Sequence, residues 1–138
     1  YLYELLLSYR ESKSLFDMPP IHHTENDVGE AVAYISENYC QTIELSTLAK
    51  MAGLSEGHFC RVFREYTHMR PIEYITHLRM ELAKSLLKQN AHITISEVAA
   101  KIGYDSPGYF SYVFRKYEGY SPGEYRLEKL KKPLTLDE

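Results

Sequence analysis

The stretch GYDSPGYFSYVFRKYEGYSPGEY, residues 103–125, decides the fold because the chain has already said nearly the same thing once. Residues 53–74 read GLSEGHFCRVFREYTHMRPIEY. Laid on each other, Phe59, Val62, Phe63, Arg64, Tyr66, Pro71, Glu73 and Tyr74 fall on Phe110, Val113, Phe114, Arg115, Tyr117, Pro122, Glu124 and Tyr125, at one offset of 51. Just upstream, Ser46, Ala49 and Gly53 match Ser96, Ala99 and Gly103 at an offset of 50, so the second copy has one extra residue in its turn. A repeat of this size means two copies of one small structure.

Outward from the repeat, the apolar spacing is helical throughout. Phe59, Val62, Phe63 and Tyr66 follow i, i+3, i+4, i+7 behind Ser55, and Phe110, Val113, Phe114 and Tyr117 do the same behind Ser106. Before each lies a short helix with Leu48 and Ala49, or its equivalent opening on a capping box at Thr94-Ile95-Ser96-Glu97. Gly53 and Gly103 end these short helices and supply the turn. Pro71 suits the first turn of a helix whose stripe of Ile75, Leu78, Leu82, Ala83 and Leu86 runs to about residue 89, with Asn90 as its stop. Pro122 begins a final short helix through Arg126. Earlier, Asp27 with Glu30 three residues on predicts another N-terminus, for a helix carrying Val28, Val32, Ile35 and Tyr39. No alternating pattern suggests a strand, so the expected class is all-α.

The ends read differently. Residues 1–16 hold an amphipathic helix with Leu2, Leu5, Leu6 and Tyr9 on one side, a stripe with nothing of its own to cover it. Residues 17–26, containing Pro19 and Pro20, read as a linker, residues 27–132 as one domain and residues 133–138 as a tail. A start without Met or a signal-peptide layout leads us to expect a fragment of a longer protein. The uncovered stripe then calls for a partner, either an absent upstream domain or a second copy of the same helix in a homodimer.

Composition bounds the function classes. Of 138 residues, 44% are hydrophobic, enough for a core, and no apolar run reaches the roughly 18 residues of a membrane span. Cys40 and Cys60 form no ligand spacing or disulfide framework, as expected of reduced thiols in a cytoplasmic protein. His22-His23 in the linker reads as solvated, so no metal and no cofactor is expected. Nothing resembles a nucleophile with its base or a phosphate loop, so no catalytic residue is assigned. The net charge of −3 is unevenly spread. Residues 1–42 carry two cations against seven acids, whereas residues 43–132 carry 14 against 10, a mildly basic surface that suits phosphate.

A short helix, a glycine turn and a second amphipathic helix form a helix-turn-helix unit, whose second helix can lie in the major groove of DNA. The units are placed at about 44–66 and 94–117. Outward positions on the second helices are Gly57, Cys60, Arg61 and Arg64 in the first copy and Gly108, Ser111, Tyr112 and Arg115 in the second. Small residues and cations let such a face approach phosphates and base edges. Arg61 can reach guanine with two parallel hydrogen bonds, worth about 1–3 kcal/mol of discrimination. Arg64 and Arg115 suit phosphate, as do Ser46 and Ser96 at the starts of the short helices, while His58 and Tyr109 at the helix edges suit either phosphate contact or partial packing. A linking helix of 19 residues spans about 28 Å, and successive major grooves lie about 34 Å apart, so one chain is expected to hold two recognition helices a turn apart.

The segments ELSTLAKMAGLSEGHFCRVFREY, RPIEYITHLRMELAKSLL and ITISEVAAKIGYDSPGYFSYVFRKYEGYSPGEYR resemble, over about residues 27–126, the DNA-binding domain of the AraC/XylS family of bacterial transcription regulators. The resemblance implies seven helices, two helix-turn-helix units and a central linking helix. It also implies action on RNA polymerase as activator or repressor, and an effector bound by a separate N-terminal regulatory or dimerisation domain, of which the helix over residues 1–16 looks like the end. Carried over by position, the contact residues run from Ser55, Glu56 and Gly57 through His58, Cys60 and Arg61 to Arg64, and from Ser106, Pro107 and Gly108 through Tyr109, Ser111 and Tyr112 to Arg115. Tyr112 stands where an arginine often sits, and Pro107 and Gly108 are poor hydrogen-bonding readers. The second unit is therefore expected to rely on apolar contact and phosphate grip more than on hydrogen-bonded readout. A rival reading, a helical protein-interaction module that kept the fold and lost DNA binding, rests on Glu56 and Asp105 near the recognition-helix starts.

Overall fold

The computed structural model describes residues 24–131, and every regular element among them is a helix. The seven helices are α1 (Thr24–Asn38), α2 (Leu45–Ala52), α3 (Glu56–Thr67), α4 (Pro71–Gln89), α5 (Ile95–Ile102), α6 (Pro107–Glu118) and α7 (Pro122–Lys131). The expected helix over residues 1–16, most of the linker and the tail lie outside the described residues.

The repeat is reproduced residue for residue. Helices α2 and α5 are each 8 residues long and begin 50 residues apart; α3 and α6 are each 12 residues long and begin 51 apart. The extra residue therefore lies in the second turn, between Gly103 and Ser106. Gly53 (φ 69°) and Gly103 (φ 101°) both close the short helix in the left-handed region, where a Cβ would crowd the backbone. Ser55 and Ser106 cap the helices that follow, their hydroxyl oxygens accepting the N–H of His58 at 3.2 Å and of Tyr109 at 3.1 Å. The predicted capping box at Thr94 forms in full, with Thr94 Oγ1 accepting Glu97 N–H at 3.0 Å and Glu97 Oε1 accepting Thr94 N–H at 2.8 Å.

The chain divides into two compact units after Ile75, within α4. In the first, Val28, Ala31, Val32 and Ile35 of α1, Leu48, Ala49 and Ala52 of α2, and Phe59, Val62 and Phe63 of α3 are buried. In the second, Met80, Ala83 and Leu87 of α4 join Val98, Ala99 and Ile102 of α5, Phe110 and Phe114 of α6, and Tyr125 of α7. Each core is pinned by the same three rings. Phe59–Phe63 and Phe63–Tyr74 centroids are 5.5 and 5.7 Å apart, and Phe110–Phe114 and Phe114–Tyr125 are 5.8 and 5.6 Å apart. Both pairs ending on tyrosine meet edge to face, the arrangement favoured by the ring quadrupole.

Four expectations are corrected. Helix α1 starts at Thr24, so Asp27 is inside it and residues 24–26 are helix, not linker. Helix α7 continues past Arg126 to Lys131. Along α4 the deeply buried residues of the second unit are Met80, Ala83 and Leu87, with Leu82 and Leu86 only partly covered. The stripe is displaced because α4 is apolar around much of its circumference, and packing chooses the face. Tyr117 is 42% exposed and Val113 half-buried, so the core side of α6 is narrower than its repeat partner suggests.

Candidate nucleic-acid interface

The face of α3 opposite Phe59 and Phe63 carries Gly57, Arg61 and Arg64, all exposed, at i, i+4, i+7. Cys60 and His58 flank it half-buried, and Glu56 is exposed in the first turn. A Cβ built on Gly57 meets nothing within 4 Å, so the surface there is open. Among the described residues, neither Arg61 nor Arg64 enters an ion pair. Both guanidinium groups are thus available to an anionic partner.

On α6, Gly108, Tyr112 and Arg115 occupy the corresponding exposed stripe, with Pro107 and Tyr109 exposed beside it and Ser111 half-buried. A Cβ on Gly108 would meet only the Ser106 hydroxyl, at an ordinary 3.6 Å. Arg115 differs from Arg64: its guanidinium lies 3.7 Å from Glu124 Oε1, with both side chains well exposed. Such a pair is weak in water and yields readily to phosphate. Glu124 is also fixed by a reciprocal cap, its Oε1 accepting Ser121 N–H at 2.9 Å and its own N–H donating to Ser121 Oγ at 3.1 Å. The Ser121 N–H bond above all, with the Arg115 charge and the nearby Ser121 hydroxyl, holds its carboxyl below the usual range.

Ser55 and Ser106 stand at the starts of these two helices with their hydroxyls engaged as caps. Ser46 and Ser96 are placed apart from the two stripes, each the second residue of a scaffold helix, half-buried and exposed respectively.

Sequence reasoning missed what holds the second unit's helices. Arg79 of α4 donates to Gly103 O at 3.4 Å and lies 4.9 Å from the centroid of Tyr104. Lys84 of α4 sits between Glu81 at 2.9 Å and Glu118 of α6 at 3.1 Å. Burial opposes its charge, but these two hydrogen-bonded carboxylates win and its pKa is raised. Arg126 of α7 donates to Ile93 O, just before α5. His77 and the Tyr117 hydroxyl are hydrogen-bonded as well. The turn, the end of α6 and the entry to α5 are each fastened by a side chain 24 to 34 residues away in sequence. No local pattern signals contacts of that range.

Among the described residues no group of histidines, cysteines and carboxylates can hold a metal ion, and no helix is long and apolar enough to cross a membrane.

A family model described as a helix-turn-helix domain matches residues 48–128, which span both units. The lactose operon transcription activator of Staphylococcus xylosus is 30% identical over 126 residues, covering 91% of this chain and 45% of that protein. The DNA-binding domain of AdpA, a global transcriptional factor solved in complex with a target DNA, superposes with a TM-score of 0.72 at 30% identity, covering 78% of this chain and 96% of that one. A transcriptional regulator of Chromobacterium violaceum with an AraC-type DNA-binding domain gives 0.66 at 26% identity, covering 76% and 93%. The chain spans less than half the length of the curated relatives it matches. With its two helix-turn-helix units in register and these matches across them, the chain belongs to the AraC/XylS family of helix-turn-helix DNA-binding transcription regulators.

Proposed function

We infer that this chain binds double-stranded DNA sequence-selectively through α3 and α6, each entering a major groove of one site, and that the protein it belongs to regulates transcription in the cytoplasm. The observation that carries this reading is the duplicated face: two capped helices, each presenting a glycine, a second reader four residues on and an arginine three beyond, opposite a matched aromatic core. The glycines let backbone approach the duplex. Arg61 reads guanine, Arg64 and Arg115 grip phosphate, and Ser46 and Ser96 touch the backbone from the starts of α2 and α5. Activation, rather than repression, is the reading favoured by the name of the staphylococcal relative, and RNA polymerase is the partner it would act on. An effector domain and a dimer contact are assigned to residues upstream of the linker.

Selection of binding sequences from a random duplex pool, followed by titration of the best site across a salt series, tests the reading. We expect a defined site, retained as salt rises while bulk DNA is shed, with affinity falling steeply on the logarithm of salt concentration. Enrichment of no sequence, with equal and salt-labile affinity for every duplex, would refute it and favour the protein-interaction module.

A further inference from the structure

The two recognition faces share a scaffold but not a chemistry. Where the first unit has Leu54, His58 and Arg61, the second has Tyr104, Tyr109 and Tyr112. These three rings form a continuous ladder, with Tyr104–Tyr109 centroids 5.8 Å apart and Tyr109–Tyr112 6.2 Å apart. Tyr104 is backed by the buried Phe110 at 6.0 Å, which ties the ladder to the core. Cations bracket its ends: the Arg79 guanidinium over Tyr104 at 4.9 Å and the Lys116 ammonium over Tyr112 at 5.6 Å. Tyr109 and Tyr112 nevertheless remain 57% and 58% exposed.

Solvating two large rings on a helix face wastes apolar area that a partner can cover. The partner's chemistry follows from position and charge. Tyr112 occupies the place of Arg61, Tyr109 that of His58, and the strip is flanked by Lys116 and Arg115 on the same helix. A surface of aromatic rings edged by cations, on the helix that faces the groove, fits an anionic duplex whose bases offer apolar projections. In the major groove the one such projection is the thymine C5-methyl.

We propose that the second unit reads thymine methyl groups by ring contact with Tyr109 and Tyr112, so that α6 selects for T by shape where α3 selects by hydrogen bonding. This rests on the DNA-binding reading above and specifies what one half of the site contains. Arg79 and Lys116 act as positioning residues that hold the outer rings of the ladder in place. The tyrosine hydroxyls are not required for the readout.

The test is a deoxyuridine scan. In a duplex selected by the 138-residue chain, each thymine is replaced singly by deoxyuridine, which keeps its pairing and removes only the methyl. For the wild type, one or two positions are expected to lose affinity about fourfold, the value of one buried methylene-sized group. Tyr109→Ala with Tyr112→Ala abolishes that sensitivity, Tyr109→Phe and Tyr112→Phe retain it, and Arg61→Ala leaves it at the same positions. Thermal melts check that the variants are folded, as the exposure of both rings leads us to expect. A flat scan on a duplex that is still bound selectively overturns the thymine reading and leaves DNA recognition standing. Loss of sensitivity in the Phe variants would assign the effect to the hydroxyls and overturn ring contact. Alanine variants with unchanged affinity and unchanged selected sequence would give the ladder to a protein partner and overturn the proposal too. Failure to select any site refutes the DNA-binding reading itself, and this inference with it.

Discussion

Gly53 and Gly57 lie four residues apart and are predicted to fail in opposite ways when replaced by alanine. At Gly57, in the first turn of α3, the backbone is helical and an added Cβ meets nothing within 4 Å. The free protein therefore gains helix propensity, roughly 0.5–1 kcal/mol for Gly→Ala in a helix interior and less so near an end. If backbone meets the duplex at this point, the same methyl is forced into a packed contact, where overpacking costs about 1–3 kcal/mol. That converts to a loss of about 5-fold to more than 100-fold in DNA affinity. Gly108→Ala is expected to behave alike, since its Cβ would find only the Ser106 hydroxyl at 3.6 Å. At Gly53 the space is equally open, but φ is +69°, and an L side chain there costs roughly 1–2 kcal/mol. Gly53→Ala should lower stability by about that amount while the folded fraction binds DNA unchanged. Urea unfolding followed by circular dichroism, with fluorescence anisotropy on a labelled site at fixed salt, separates the two effects. Gly57→Ala with unchanged stability and undiminished affinity would refute the close approach, and with it the reason given for a small residue at this place in both copies.

Further consequences follow from the same geometry. His68 is exposed and holds φ +66° at the end of α3, where the second copy has Gly119 at φ +95°. His68→Gly should therefore raise stability by about 0.5–1 kcal/mol, the left-handed cost less the added chain entropy, and an unchanged urea midpoint would mean that the histidine side chain supplies a compensating contact. Arg64→Ala should weaken binding to specific and non-specific DNA alike and reduce the slope of log affinity against log salt by about 1, whereas a loss confined to one base position would make Arg64 a reader. Stability should fall on the alkaline side. Burial raises the Tyr74 and Tyr125 phenols, and the two carboxylates raise Lys84 despite its burial, so their contribution is full below their ordinary values of 10.0 and 10.5 and is lost as pH climbs through the folded-state values. Urea midpoints measured from pH 8 to 11.5 should hold to about 10 and then drop; a flat profile would show that these groups titrate alike in the folded and unfolded chain.

Much of the fold was legible because the repeat samples each local rule twice. Ser55 and Ser106, Gly53 and Gly103, Pro71 and Pro122 each mark a helix end by backbone chemistry that acts within four residues. The start of α1 lies a turn before the capping-box pattern of Asp27 and Glu30, because acidic residues also suit the first turn of a helix, and the local pattern does not separate a cap from a first-turn position. The buried face of α4 was misplaced for a different reason. Leu78, Met80, Leu82, Ala83, Leu86 and Leu87 leave no single stripe, so only packing against α5 and α6 singles out Met80, Ala83 and Leu87. The outward stripes of α3 and α6 follow from their core faces and were readable. The partners that fasten the second unit were not, because Arg79, Lys84 and Arg126 act across tens of residues.

Comparison of the copies also separates what each position does. Phe59, Phe63 and Tyr74 and their partners Phe110, Phe114 and Tyr125 keep the same identities and nearly the same spacings, as a close-packed core demands. Leu54, His58 and Arg61 differ in identity from Tyr104, Tyr109 and Tyr112, which hold the same places, most sharply where Arg61 faces Tyr112. Tyr104 packs on Phe110 at the edge of the core, but packing cannot be the reason for Tyr109 and Tyr112, which stay more than half exposed. The extra residue in the second turn, beside Tyr104, leaves α6 the same length as α3 and the Ser106 cap in place, so it alters the approach to the helix without altering the helix. A scaffold that holds two helices alike while their outward chemistries differ suits an asymmetric target. The two halves of the DNA site should therefore not be copies of each other, and exchanging the outward residues of α3 and α6 should reverse the orientation of the selected sequence while leaving both cores intact.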